Sequence, residues 1–452
     1  MLSIAAALVC LSLAEPPSDA AISAAADKLA AETLSKAGAA GLSVAVARNG
    51  KVILSKGYGL AEIEHDAKAD GDSLFRIGSI TKQFTAAAIM RLVEQGKVGL
   101  DDPITKYLPS YNTQGRTITV RHLLTHTSGI KSYTEIKRIM VEEPEHEFKH
   151  QELIDMVQNE PLAFEPGTKW VYCNTGYYLL GMIVEQVSGK SYCEYLQDEF
   201  FGPLGLDHTR CDSNTEIIKG RAQGYAMSGK KLTNDKGLAT GTPFAAGMLI
   251  ASAHDLVVWA DDLASGKVVS EASYKQMSTP FELADGSSTH YGFGLSIDEQ
   301  FGHARVQHGG GIFGFNSMLE RFPEDGLTVA VISNSEAIPA ARVAQALGRE
   351  ALGVTDQPVP AEATLSPADA SRCEGQYALP DVELEVTISQ RDGKLFAQAT
   401  GQPEFGLIFV GKGEFGASFD KEVRLVFDLS GEQPAKSFVL HQGGMSILAS
   451  RK

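Results

Sequence analysis

Five cysteines occur in the 452 residues, none in a Cys-x-x-Cys pair, which excludes a cysteine-built structural zinc site and a disulfide-stapled miniature fold. Basic charge is also scarce. Lys+Arg 40 against Asp+Glu 56 gives a net charge of −16, and no basic run offsets it, so a nucleic-acid or anionic-membrane partner is excluded. Beyond the first residues nothing approaches 18 consecutive apolar positions, so no integral membrane segment is expected in a mature chain. No G-x-S-x-G elbow exists, and the parallel βαβ alternation that would accompany it is missing. His308-Gly309-Gly310-Gly311 therefore does not read as the oxyanion segment of an α/β-hydrolase lipase.

What is present is a chain of ordinary globular composition, 43% hydrophobic and 21% charged, long enough for more than one core. Residues 1–14 form an apolar stretch, with Ser12 and Ala14 at the −3 and −1 positions of a cleavage site. They read as an export signal whose basic n-region is missing, since the first Lys or Arg is Lys28. A periplasmic or secreted protein is expected. Of the four remaining cysteines, Cys193 and Cys211 are a possible pair in an oxidising compartment, but buried free thiols are the favoured reading.

Leu42–Gly59 alternates as two strands around Asn49-Gly50, a hairpin signal. Thr81–Gln95 has apolar residues on most sides of a helix, which predicts burial, and Gly96 can end it. The stretch 119–264 reads as mainly helical, with runs at Gln151–Gln158 and Tyr177–Ser188. Strands return at Ala304–His308, Phe315–Phe322 and Thr328–Ser333, so one antiparallel sheet closed by both ends of its unit is expected over residues 21–352. Residues 353–370 hold three prolines and read as a linker. Over 371–452, short alternating runs at Glu383–Ser389, Lys394–Ala399, Val423–Asp428 and Ser437–Gln442 indicate a small antiparallel β-barrel or sandwich.

Two short motifs suggest hydrolytic chemistry. His146-Glu147-Phe148-Lys149-His150 matches HExxH, but acidic residues and Pro144 precede it and no third ligand follows, so it reads as a charged loop entering a helix. Metal: none is expected. Ser-x-x-Lys occurs four times, at Ser79–Lys82, Ser128–Lys131, Ser228–Lys231 and Ser418–Lys421. Only the first opens a long buried helix, which puts Ser79 and Lys82 one turn apart on one face. A serine hydroxyl is a poor nucleophile until a base takes its proton, and a desolvated lysine can be that base.

Two further elements accompany this pair, Tyr172-Cys173-Asn174 and His308-Gly309-Gly310. With them the chain resembles the serine β-lactamase and penicillin-recognising hydrolases, in the branch holding class C β-lactamases, D-alanyl-D-alanine carboxypeptidases, D-aminopeptidases and related esterases. The resemblance runs from about Leu42 to Asn334 and includes Leu100-Asp101-Asp102-Pro103, Ile118–Gly129 and Asn174–Gly181. It implies an α+β fold, an antiparallel sheet flanked by helices with a helical subdomain. It also implies that Ser79 is the acylated nucleophile, Lys82 its activating partner and Tyr172 the proton relay, with no cofactor. Asn174, His308, Gly309 and Gly310 would contact substrate, and the backbone N–H groups of Ser79 and Gly311 would form the oxyanion hole. His122 and His126 read as structural.

Where the class C enzymes carry Lys-Thr-Gly this chain has His308-Gly309-Gly310, which grips a carboxylate less and adds a group expected to titrate near neutrality. Cys373–Lys452 resembles the lipocalin-like barrel appended to some members. The implied function is an exported serine hydrolase acting through an acyl-enzyme on an amide, a peptide with D-residues or a β-lactam-like bond. Its substrate would be a small molecule or peptide. Alternatives are a promiscuous carboxylesterase on the same site and a non-catalytic penicillin-binding sensor.

Overall fold

Asn49 and Gly50 both adopt left-handed backbone (φ 52° and 75°), so strand Gly41–Arg48 turns directly into strand Lys51–Glu62. A two-residue turn of this kind matches the twist of its flanking strands. In the computed structural model of the protein, this hairpin lies within one seven-stranded sheet. The structure describes residues 16–37, 40–229, 231–354, 363–379, 384–400, 402–418, 423–429, 433–442 and 445–452. The expected export stretch 1–14 lies outside them.

The sheet runs in the order Ala67–Lys68, Lys51–Glu62, Gly41–Arg48, Leu327–Ser333, Phe315–Phe322, His303–Ile312, Ser296–Gln300. Its centre joins the two ends of the unit, with Val44 opposite Val331 in an antiparallel pair. Alternation along these strands separates two cores. Leu42, Val44, Val46, Val329 and Val331 pack with residues of helices Asp19–Ala37 and Ala340–Leu352. Ala45, Ala47, Ala330 and Ile332 face the opposite core, where helix Ala253–Ala264 lies against both central strands. Small alanines on that face let a helix approach closely.

Helix Thr81–Glu94 runs through this second core and is buried at every position from Thr81 to Met90. Phe84 stacks on Trp259 with ring centroids 3.8 Å apart. Leucine- and phenylalanine-sized side chains buried in this way contribute about 1.5–3 kcal/mol each. The middle of the chain is less uniformly helical than its composition suggests. Phe75–Arg76, Leu249–Ala251 and Thr209–Cys211 make a three-stranded sheet, and Tyr225–Ser228 pairs with Lys231–Asn234. Strands of two to four residues are too short to show a period. Cys193 and Cys211 are joined in a disulfide, against the free-thiol reading, while Cys173 and Cys373 are free and buried.

The chain divides into two bodies, residues 1–297 with 303–354, and 355–452 with 298–302. The second contains a closed antiparallel barrel of eight strands, in which Gly375–Leu379 pairs with both Leu384–Arg391 and Met445–Arg451. Tyr377, Phe415, Phe427 and Phe438 fill its interior. Part of the expected linker is helical, because Ser366 caps Pro367–Cys373 by accepting the Asp369 N–H at 3.0 Å. Residues 355–362 of that segment lie outside the described ones.

Candidate active site

A tight turn, Gly78–Ile80, leads into helix Thr81–Glu94 and carries Ser79 at its centre. Strand His303–Ile312 presses against this turn. A Cβ on Gly310 would stand 2.0 Å from the carbonyl oxygen of Ile77, and one on Gly78, whose φ is +50°, would stand 3.0 Å from the nitrogen of Gly311. Glycine at both positions is therefore what brings the backbone of Gly311 beside Ser79. Ser317 on the neighbouring strand donates to the Ile77 carbonyl at 2.8 Å and fastens the contact.

One turn beyond Ser79, in the first turn of the helix, Lys82 is fully buried. Its Nζ lies 3.1 Å from Ser79 Oγ, 2.8 Å from Asn174 Oδ1 and 2.8 Å from the carbonyl oxygen of Ala246. Burial pushes its pKa down to about 7. Its partners are two carbonyl oxygens, which can only accept, and a hydroxyl, which accepts from the ammonium or donates to the lone pair of the neutral amine, so the set accommodates Lys82 in both states. An amine shifted this far is partly neutral near pH 7, and in that state it can accept a hydrogen bond from Ser79 Oγ.

Tyr172 closes the other side, its ring 4.8 Å from Lys82 Nζ. Burial raises its hydroxyl pKa, and a hydrogen bond with Ser79 works in the opposite direction. The loop bearing Tyr172 is clamped by His126, which accepts the Val171 N–H on its carbonyl (3.0 Å) and the Cys173 N–H on Nδ1 (3.1 Å). His126 itself is left-handed at φ 58°, a conformation seldom held by a non-glycine residue. Its Nε2 is buried without a hydrogen-bond partner among the described residues, and its ring sits 4.3 Å from that of Tyr172 and 4.8 Å from that of Tyr291. Burial, with Lys82 and His308 nearby, holds it well below the usual imidazole range, so it is neutral.

Asn174 begins helix Asn174–Ser188, and its backbone N–H donates to Ser132 Oγ at 3.2 Å. Ser79, Asn174, Gly311 and Ala246 share one cavity of about 410 Å³, open to solvent, with Tyr133, Phe315 and Glu336 also on its wall. His308, Gly309 and Gly310 do not line it. His308 is buried, with Nδ1–H donating to the Gly309 carbonyl (2.6 Å) and Nε2 accepting from the Tyr291 hydroxyl (2.9 Å). Burial and Lys82 push its pKa down to about 4, so the expectation of titration near neutrality is overturned. The sequence did not single out Ala246, Tyr291 or Glu336. Ala246 acts through its carbonyl, which no side-chain motif marks.

The remaining motifs stand apart. His146 precedes the helix that His150 begins, so the two histidines do not share a helix face. His146 lies against Glu152, Glu147 accepts from Asn214, and His150 bonds Tyr178. Among the described residues no cluster of three metal-ligating side chains occurs. Lys131 pairs with Glu160, Ser228 and Lys231 lie on an exposed hairpin, and Lys421 falls outside the described residues.

A penicillin-binding protein of Bacillus subtilis is 30% identical over 435 residues, covering 90% of this chain and 94% of its own length. The solved structure of an octameric penicillin-binding protein homologue from Pyrococcus abyssi matches with a TM-score of 0.67 at 25% identity, covering 94% of this chain and 99% of that one. A D-stereospecific amidohydrolase from Streptomyces matches with a TM-score of 0.64 at 26% identity, over 75% of this chain and 100% of its own. The Beta-lactamase family model matches residues 26–353, and the chain belongs to that family.

Proposed function

We propose that this protein is an exported serine hydrolase that cleaves an amide, ester or β-lactam-like bond through an acyl-enzyme. The observation that carries the reading is Lys82, buried, held by two carbonyl acceptors and turned to Ser79. Ser79 Oγ attacks the substrate carbonyl carbon while its proton passes to Lys82 Nζ. The N–H groups of Ser79 and Gly311 stabilise the resulting oxyanion, and one such donor is worth about 100–1,000-fold in rate. Tyr172 gives its hydroxyl proton to the leaving group as the tetrahedral species collapses and takes up in its place the proton held by Lys82. Water then attacks the acyl ester, with the same groups removing its proton. Asn174, held by Lys82 and by Ser132, hydrogen-bonds the substrate amide. His308, withdrawn from the cavity, supports Tyr291 and the glycine strand.

Export is supported by the apolar residues 1–14 and by the Cys193–Cys211 disulfide, a bond that persists in oxidising compartments. One experiment tests both parts. Intact-mass spectrometry of protein recovered from the periplasm should show loss of residues 1–14 and, after incubation with a penicillin, a covalent adduct absent from Ser79→Ala. An unprocessed chain removes the export reading. Absence of an adduct, together with ester hydrolysis that survives Ser79→Ala, removes the mechanism.

A further inference from the structure

The cavity over Ser79 holds, among its described lining residues, a single acidic or basic side chain, Glu336. Among the described residues no Lys or Arg lines it. Glu336 follows strand Leu327–Ser333 and is set in place from two sides. Asn316 Nδ2 contacts the carbonyls of Ser335 (3.4 Å) and Glu336 (3.3 Å), and the Gly314 N–H donates to Glu336 Oε1 at 3.1 Å. This fixes the carboxylate over the turn between strands His303–Ile312 and Phe315–Phe322, at the cavity wall. No cationic side chain pairs with it among the described residues.

The surroundings add to the same sign. Asp235 packs its Oδ2 against Gly314 and Gly224, on the far side of that turn. A second cavity of about 380 Å³, sharing Leu238 and Phe315 with the first, is walled by Asp235 and Glu145. The two arginines there share one buried carboxylate, with Arg76 Nε and Arg221 Nη1 2.7 Å and 2.9 Å from the two oxygens of Asp212, so that with Asp235 and Glu145 these groups still carry one net negative charge. The two cationic candidates close to the reacting serine do not compensate. Lys82 is enclosed by carbonyls, and His308 lies outside the cavity wall.

We propose that Glu336 selects substrates by charge, favouring those that present a protonated amine to this wall and rejecting those that present a carboxylate there. The inference rests on the reading of Ser79 as the nucleophile of this cavity and names the substrate class for it. A carboxylate entering beside Glu336 meets a like charge with no counter-ion, whereas an ammonium gains a charge-assisted hydrogen bond to the free carboxylate edge. Because the cavity is open to water, the discrimination is about tenfold at low salt and shrinks as salt screens it.

The test compares three ligands of similar shape, D-phenylalaninamide, its N-acetyl derivative and its N-succinyl derivative. Each is measured as a competitive inhibitor of p-nitrophenyl butyrate hydrolysis, so that turnover of the ligand is not required. The inhibition constants are expressed as a ratio within each protein, which cancels general losses. Wild type should bind the amine about tenfold more tightly than the succinyl compound. Glu336→Gln should bring the ratio near one, and Glu336→Lys should invert it, a reversal that a structural role does not produce. A ratio unchanged in both variants, or no inhibition by any of the three in wild type, overturns the proposal. Butyrate hydrolysis that is absent in wild type, or present in Ser79→Ala, instead overturns the reading of the site on which it rests.

Discussion

Tyr377 in the barrel and Lys82 in the larger body are both buried polar side chains, and they are treated differently. The Tyr377 hydroxyl donates to the Cys373 carbonyl at 2.9 Å and accepts from Arg451 Nη2 at 2.7 Å, among phenylalanines that pack edge to face around its ring. Every demand of the group is met in its ordinary neutral state. Lys82 is also fully contacted, but burial shifts it toward the neutral amine while the aqueous preference of a lysine is the charged one. The barrel interior is thus matched for stability, whereas the larger body holds a group away from its preferred state, the condition under which a buried base has reactivity to offer.

The sharpest way to break this contrast is to loosen the site without removing its reacting groups. His126→Ala should lower kcat for p-nitrophenyl butyrate by about 10–100-fold with little change in KM, because displacing Tyr172 by a fraction of an ångström is enough for such a loss. His126→Asn, which tolerates left-handed backbone and keeps an acceptor, should recover part of it. Equal losses in both variants, seen in KM, would mean the loop is not held by this residue.

Next in size is pH. With Lys82 at about 7 and His308 at about 4, kcat/KM should fall roughly tenfold per unit below pH 7 and level off above it. His308→Gln should keep that limb, and its disappearance would reassign the base. The same displacement has a stability consequence. Between about 7 and 10.5 the unfolded chain binds a proton at Lys82 that the folded chain does not. Stability therefore rises across that window and the penalty is complete below it. Denaturant midpoints should show this rise in wild type and less of it in Lys82→Met. The smallest kinetic effect is expected from the barrel. Phe415→Ala should cost about 3–5 kcal/mol in the barrel's unfolding, with kcat/KM for the ester unchanged. A comparable kinetic loss would join the two bodies functionally.

Legibility in the sequence followed the range of the interaction. Strand Phe315–Phe322 and the turn at Asn49-Gly50 were readable because their signals lie within a few residues, and Asn49 and Gly50 are indeed left-handed. Helix Thr81–Glu94 was readable because apolar residues on most of its sides have no other stable environment. Strand His303–Ile312 runs four residues further than its alternating pattern, through Gly309–Gly311, because glycines carry no pattern and only the turn at Ser79 explains them. The Cys193–Cys211 bond was open for a similar reason, since spacing alone does not bring two cysteines to a Cα separation of 6.0 Å.

Ser79 and Lys82 stand one helical turn apart because 3.6 residues complete a turn, and that much follows from the order of residues alone. The sequence likewise determined the sheet hairpins and the strand pattern of the barrel, whose signals are local. Only the tertiary structure decided that Lys82 meets the Ala246 carbonyl and loses its water, that His308 is withdrawn and neutral, that His126 clamps both sides of Tyr172, and that Glu336 faces the cavity. The surroundings of Lys82 are set by neighbours 92 and 164 residues away in the chain, and those neighbours exist only once the chain has folded.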